Sequence, residues 1–145
     1  GKETKTYRDI SPGPGLVKET TNKMSRIERD EVREDRILME AVVDAHDSEE
    51  QAMGWYYYLD DKVQFPFEAQ CASERHISPL QVGEKVKALQ MAPADECMRE
   101  MFVEIQWSER KFGVPLSQLE PIEVDDETEE AIADWHYWVA RGYQF

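Results

Sequence analysis

Cysteine occurs twice in 145 residues, at Cys71 and Cys97, too few for a disulfide-stapled scaffold. In a cytosolic chain such thiols are expected to act as small buried hydrophobes rather than as a pair. The histidines His46, His76 and His136 share no spacing with each other or with the cysteines, and neither CxxC nor HExxH occurs, so the sequence offers no zinc site. GxGxxG, GxxxxGKS/T and GxSxG are also missing, which leaves an enzyme reading without positive support. No apolar run approaches the ~20 residues of a membrane helix, and the opening GKETKTYRDI has no apolar signal-peptide core. The expectation is a cytoplasmic protein with no membrane partner. Basic residues are scarce, 17 against 31 acidic, for a formal charge of −14. A surface of that sign repels phosphate backbones, so no nucleic-acid partner is expected.

The charge is unevenly distributed. Residues 1–26 hold six basic residues against three acidic ones, a net of +3, which leaves −17 for the remainder. The same segment contains SPGPG at 11–15, where prolines lack an N–H and glycines add freedom. It reads as an N-terminal arm. Residues 27–145 read as one domain, long enough to bury a core without staples.

From Glu28 the pattern is helical. Leu38, Ala41, Val42 and Ala45 recur at i, i+3, i+4 and i+7, predicting a first helix from Arg29 to His46. Arg29, Arg33 and Arg36 are spaced to pair with the acids around them. Ser48-Glu-Glu-Gln51 has capping-box spacing and predicts a second helix from Ser48 to Lys62, with Ala52, Trp55, Tyr56, Leu59 and Val63 inward. Gly54 inside it costs ~1 kcal/mol against alanine unless another backbone approaches closely. After Phe65-Pro66-Phe67 the period changes to two. Strands are expected at 67–74, 85–92, 98–107, 111–114 and 120–124, with one short 3₁₀ turn before the last. That order is the order of an SH3-like barrel. A third helix, 127–141, follows with Asp126 as N-cap, Gly142 just past its end, and Ala131, Trp135, Trp138 and Val139 inward. The predicted fold is α+β: a small SH3-like five-stranded barrel with two N-terminal helices and one C-terminal helix packed on it.

Carboxylates are the one abundant chemical group. Glu120 to Asp134 holds eight acids and no basic residue. On a helix, Asp126, Glu130 and Asp134 share one face, where like charges repel by ~0.2–0.5 kcal/mol per pair. A hard cation reverses that sign, and calcium, with 6–8 oxygen ligands in loose geometry, suits such a set better than magnesium. The competing reading is that acids at a helix N-terminus are favourable by themselves, as caps and dipole partners. Asp60 and Asp61 oppose the dipole at the end of the second helix, and either a bound cation or Lys62 would relieve them. No D-x-D/N-x-D/N-G loop occurs, so a calcium site here is not an EF-hand.

The segments MGWYYYLDDKVQFPF (Met53–Phe67), ISPLQVGE (Ile77–Glu84), EMFVEIQW (Glu100–Trp107), VPLSQLE (Val114–Glu120) and DDETEEAIADWHYWVARGYQF (Asp125–Phe145) resemble the cyanobacterial calcium-binding CcbP family. The resemblance runs from about Asp30 to Phe145 and omits the arm. It implies a cytoplasmic protein that binds calcium (Ca2+) through acidic side chains and buffers it, tied in filamentous cyanobacteria to heterocyst differentiation. It also implies a role for Asp61, with Asp60 beside it. Charge density adds Asp125, Asp126, Glu129 and Glu130 as candidate ligands. The rival reading is an acidic SH3-like interaction module that binds a basic protein partner.

Overall fold

The computed structural model describes residues 28–145. The proposed arm lies outside the described residues. Chain order gives α1 (Glu31–Arg36, continued by a π-helical turn, Ile37–Ala41), α2 (Ser48–Lys62), β1 (Phe67–Cys71), β2 (Lys85–Met91), β3 (Phe102–Trp107), β4 (Arg110–Pro115), β5 (Leu119–Ile122) and α3 (Asp126–Ala140). A 3₁₀ turn, Leu116–Gln118, precedes β5, as the sequence predicted.

The strands form one antiparallel sheet in the order β4-β3-β2-β1-β5. Alternation sets its faces: Phe67, Ala69 and Cys71 are buried on β1, Val86 and Ala88 on β2, Val103 and Ile105 on β3. Past Ala88 the register of β2 shifts, so that Ala88 faces Ile105 but Gln90 faces Glu104. Leu89 is the extra residue, and the bulge turns Gln90 outward and Met91 inward, where strict alternation from Val86 and Ala88 would put Gln90 inward. Among the described residues no pairing joins β4 to β5, so the sheet is not closed into the barrel that the element order implied.

The helices cover the apolar face. Trp55 of α2 and Trp135 of α3 are both buried and meet edge to face, ring centroids 5.1 Å apart. Trp138 is only half-buried against Trp55, and Val139 is exposed rather than inward. Of the tyrosine run, Tyr58 is buried, Tyr56 half-buried and Tyr57 exposed. Both cysteines are free and buried, and burial pushes both thiols up, consistent with inert core residues. The N-caps fall one residue earlier than the capping boxes suggested. Asp47 Oδ1 accepts from Glu50 N at 2.8 Å and Asp125 Oδ1 from Thr128 N at 3.1 Å. Ser48 and Asp126 are the first helical residues. Gly142, with φ +83°, ends α3 as expected.

The first helix differs most from its prediction. It stops well before His46, because the chain widens into a π turn and then takes a left-handed residue at Asp44, φ +57°. The extra residue in that turn rotates the face, burying Ile37, Ala41 and Val42 and leaving Val32 and Leu38 exposed. The α-helical part of α1 buries no residue. It is held by polar contacts. Asp30 N donates to Tyr137 Oη at 2.9 Å, and the hydroxyls of Tyr137 and Tyr143 each donate to Glu34 Oε2 at 2.7 Å.

That arrangement makes a pH prediction. Burial pushes the Glu34 carboxyl up, but the hydroxyls of Tyr143 and Tyr137 and the charges of Arg29 and Arg141 outweigh it and hold it below the ordinary glutamate range. A depressed carboxyl contributes stability that is present above its unfolded value of about 4.3 and lost as pH falls through the folded one. Glu34→Gln is therefore expected to flatten the loss of stability below about pH 4.5, measured as urea midpoints at successive pH values. Glu34 is partly exposed, so solvent screening keeps the effect small.

Candidate metal centre

Asp60 and Asp61 lie exposed in the last turn of α2, where the unpaired carbonyls of the helix end already place partial negative charge. Beyond Lys62 the chain turns toward the start of α3, and Gln64 N donates to Thr128 Oγ1 at 2.9 Å. The C-terminal end of α2 and the N-terminal end of α3 are thus neighbours. The two acidic stretches singled out in the sequence, 64 residues apart, converge on one end of the molecule.

A third element joins them. Lys62 Nζ lies 3.4 Å from Glu127 Oε2 of α3 and 4.0 Å from Glu40 Oε1 of the π turn. Glu40, Val43, Gly54, Tyr57, Tyr58, Asp61 and Lys62 line a shallow cleft between the π turn and α2. A second cleft, around the entry to α3, is lined by Glu68, Glu123 and Asp125 together with Gln64 and Thr128.

The six candidate ligands divide by role. Asp61 lines the first cleft; Asp60, beside it, is exposed and is not among the residues that line it. Asp125 is the N-cap of α3 and also lines the second cleft. Asp126 and Glu129 sit exposed on the first turn of α3. Glu130 is 3.4 Å from Arg36 Nη1 and so is already partly neutralised. Sequence reasoning did not rank Glu40, Glu68, Glu123 or Glu127 as ligands. Glu40 had no signal at all, because only the π turn carries it to the end of α2.

Asp134 does not belong to this surface. The helical repeat put it on one face with Asp126 and Glu130, but its side chain is fully buried. Its carboxylate accepts from Arg33 Nη1 at 2.6 Å, Arg36 Nη2 at 2.8 Å, Arg36 Nε at 3.0 Å and the Tyr58 hydroxyl at 2.7 Å. The hydrogen bond to Asp134 pushes the Arg36 guanidinium up. Burial and the same aspartate push the Tyr58 phenol up, which keeps it a donor. The charge that seemed to need a metal is balanced by two arginines of α1.

The donors on this end of the molecule are all hard oxygens, which is the chemistry calcium selects. The lysine ammonium already lying between Glu40 and Glu127 shows that the place attracts positive charge. Among the described residues, however, no three His, Cys, Asp or Glu side chains stand close enough to enclose an ion. Completing a coordination shell would take backbone carbonyls, water or a shift of surface side chains. Calcium's tolerance for mixed and irregular shells permits that.

A family model described as calcium binding, named for CcbP, matches residues 35–139. Two solved structures are similar over most of the chain. A crystal structure of CcbP from Anabaena is 50% identical, with a TM-score of 0.74, covering 82% of this chain and 98% of that one. A calcium binding protein in its calcium-binding form is 49% identical, with a TM-score of 0.72, covering 81% of this chain and 96% of the other. No curated protein matches this chain.

Proposed function

We propose that this chain, which belongs to the CcbP family of calcium-binding proteins, takes up the ion at the junction of α2 and α3 and so buffers or senses calcium in the cytoplasm. The observation that carries the location is the Lys62 ammonium, at ion-pair distance from Glu40 of the π turn and Glu127 of α3, on a cleft that Glu40 and Asp61 also line. Asp61 is the principal ligand, with Asp60 beside it. Asp125, Asp126, Glu129 and Glu130 form a second, weaker acidic surface on the first turns of α3. Calcium supplies the charge that these carboxylates lack, and relief of their repulsion is what binding gains. No EF-hand loop takes part. In this reading the strands are an opened SH3-like barrel that fixes the two helix ends against each other. The strand order and the 3₁₀ turn before β5 support that description.

Terbium luminescence tests the reading directly, because Tyr57 and Tyr58 line the same cleft as Asp61 and are placed to sensitise a bound lanthanide. A tyrosine-sensitised signal that calcium displaces is expected. Asp61→Asn should weaken calcium binding at least about tenfold, some 1.4 kcal/mol, in a calorimetric titration. Asp95→Asn, on the turn between β2 and β3, serves as a control of equal charge change and should leave affinity nearly unaltered. Absence of a displaceable signal defeats the calcium reading for this chain. Unchanged affinity in Asp61→Asn defeats only the location. Calcium-independent capture of a basic protein would favour the interaction-module reading instead.

A further inference from the structure

Lys62 is the one positively charged residue lining the cleft that holds Asp61 and Glu40, among the described residues. Its ammonium stands at ion-pair distance from carboxylates of two other helices, 3.4 Å from Glu127 and 4.0 Å from Glu40, and its side chain is 30% exposed. The stem is therefore partly packed while the head stays free to leave for water. With the ammonium in place, the π turn, α2 and α3 hold their acids together without a metal. A divalent ion entering the same junction must take those carboxylates from the lysine and then bear its charge nearby.

Resting on the calcium reading above, we propose that Lys62 is an affinity-setting residue, an internal cation that competes with calcium for the α2–α3 junction. The lysine occupies the carboxylates at low calcium and swings out when the ion binds. Affinity is thereby held below what the carboxylates alone would give. Selectivity follows as well. A monovalent ion has no charge advantage over the ammonium, whereas a divalent one does.

Lys62→Gln keeps most of the stem and removes the charge. It should tighten calcium binding roughly three- to tenfold at low salt, the size expected for removing one unit charge several ångströms from a divalent ion. The gain should shrink at high ionic strength. Lys62→Arg should bind like the parent chain. Lys111→Gln, on the far edge strand β4, makes the same change in net charge and should alter affinity much less. Melting temperatures supply the second readout. The metal-free Lys62→Gln protein should melt lower than the parent and the calcium-saturated protein should not, because only the free form relies on the ammonium. A merely structural lysine would lower both equally and leave the dissociation constant unchanged, and that result overturns the proposal. If the parent chain binds no calcium, the reading under Proposed function fails and the competition with it. If the parent binds and Lys62→Gln binds no tighter, the competition alone fails.

Discussion

Replacing Asp134 by asparagine is expected to cost about 3 kcal/mol of stability, a fall in Tm of roughly 10 °C or more, measured by urea and thermal unfolding. The substitution preserves shape and removes the charge that two guanidiniums and a phenol share. Breaking a buried ion pair from one side generally costs about 3–5 kcal/mol, because the remaining charge is stranded. Here the stranded groups are Arg33 and Arg36, with side chains 26% and 18% exposed, so water can reach them and the cost falls at the low end.

The same geometry fixes the opposite experiment. Arg33→Met with Arg36→Met leaves a fully buried carboxylate holding only the Tyr58 hydroxyl. That double variant should be less stable than Asp134→Asn, by about 1–2 kcal/mol. Equal losses would mean that Asp134 is not the desolvated partner. Both variants should also loosen α1, whose α-helical part has no buried side chain to hold it. Glu40 rides on the continuation of that helix, so at the proposed site calcium affinity should fall too, although of Arg33, Arg36, Tyr58 and Asp134 only Tyr58 lines the cleft.

Gly54→Ala should also destabilise the protein, by about 1–3 kcal/mol, although alanine is the better helix former by roughly 1 kcal/mol. The reason is a backbone contact. A Cβ at position 54 would collide with the carbonyl oxygen of Ala41, and backbone cannot rotate aside as a side-chain tip does. Either the π turn or α2 must shift, and both line the cleft at Glu40 and Asp61. Chemical denaturation measures the loss. An unchanged or raised midpoint would show that the π turn yields freely. Gly83→Ala marks the contrast, since nothing lies within 4 Å of a Cβ there and only its φ of +95° opposes the change.

Much of the fold was legible because its signals are local. Period-two alternation marks β1 and β3 within a few residues of their ends, and the capping boxes mark the starts of α2 and α3 within one residue. The errors share one cause. The π turn, the Leu89 bulge and the open sheet each depend on what lies across from a residue, and a period read along the chain assumes regular geometry. Of the acids, Asp61 and the 125–130 set were visible as charge. That Asp61 shares a cleft with Glu40, and that Lys62 ties Glu40 to Glu127, was not, nor was the burial of Asp134 among arginines about a hundred positions away.

By itself, then, the sequence determined the family, through the segments that resemble CcbP, and the kinds of element. An acidic composition serves solubility and cation binding alike, whereas apolar periods of two and 3.6 are enforced by backbone geometry alone. The tertiary structure decided which charges are spent inside and which stay available. A carboxylate's neighbours set its fate: at Asp134 two arginines and a phenol replace water, whereas Asp61 stays exposed to solvent and Glu127, also exposed, meets the Lys62 ammonium.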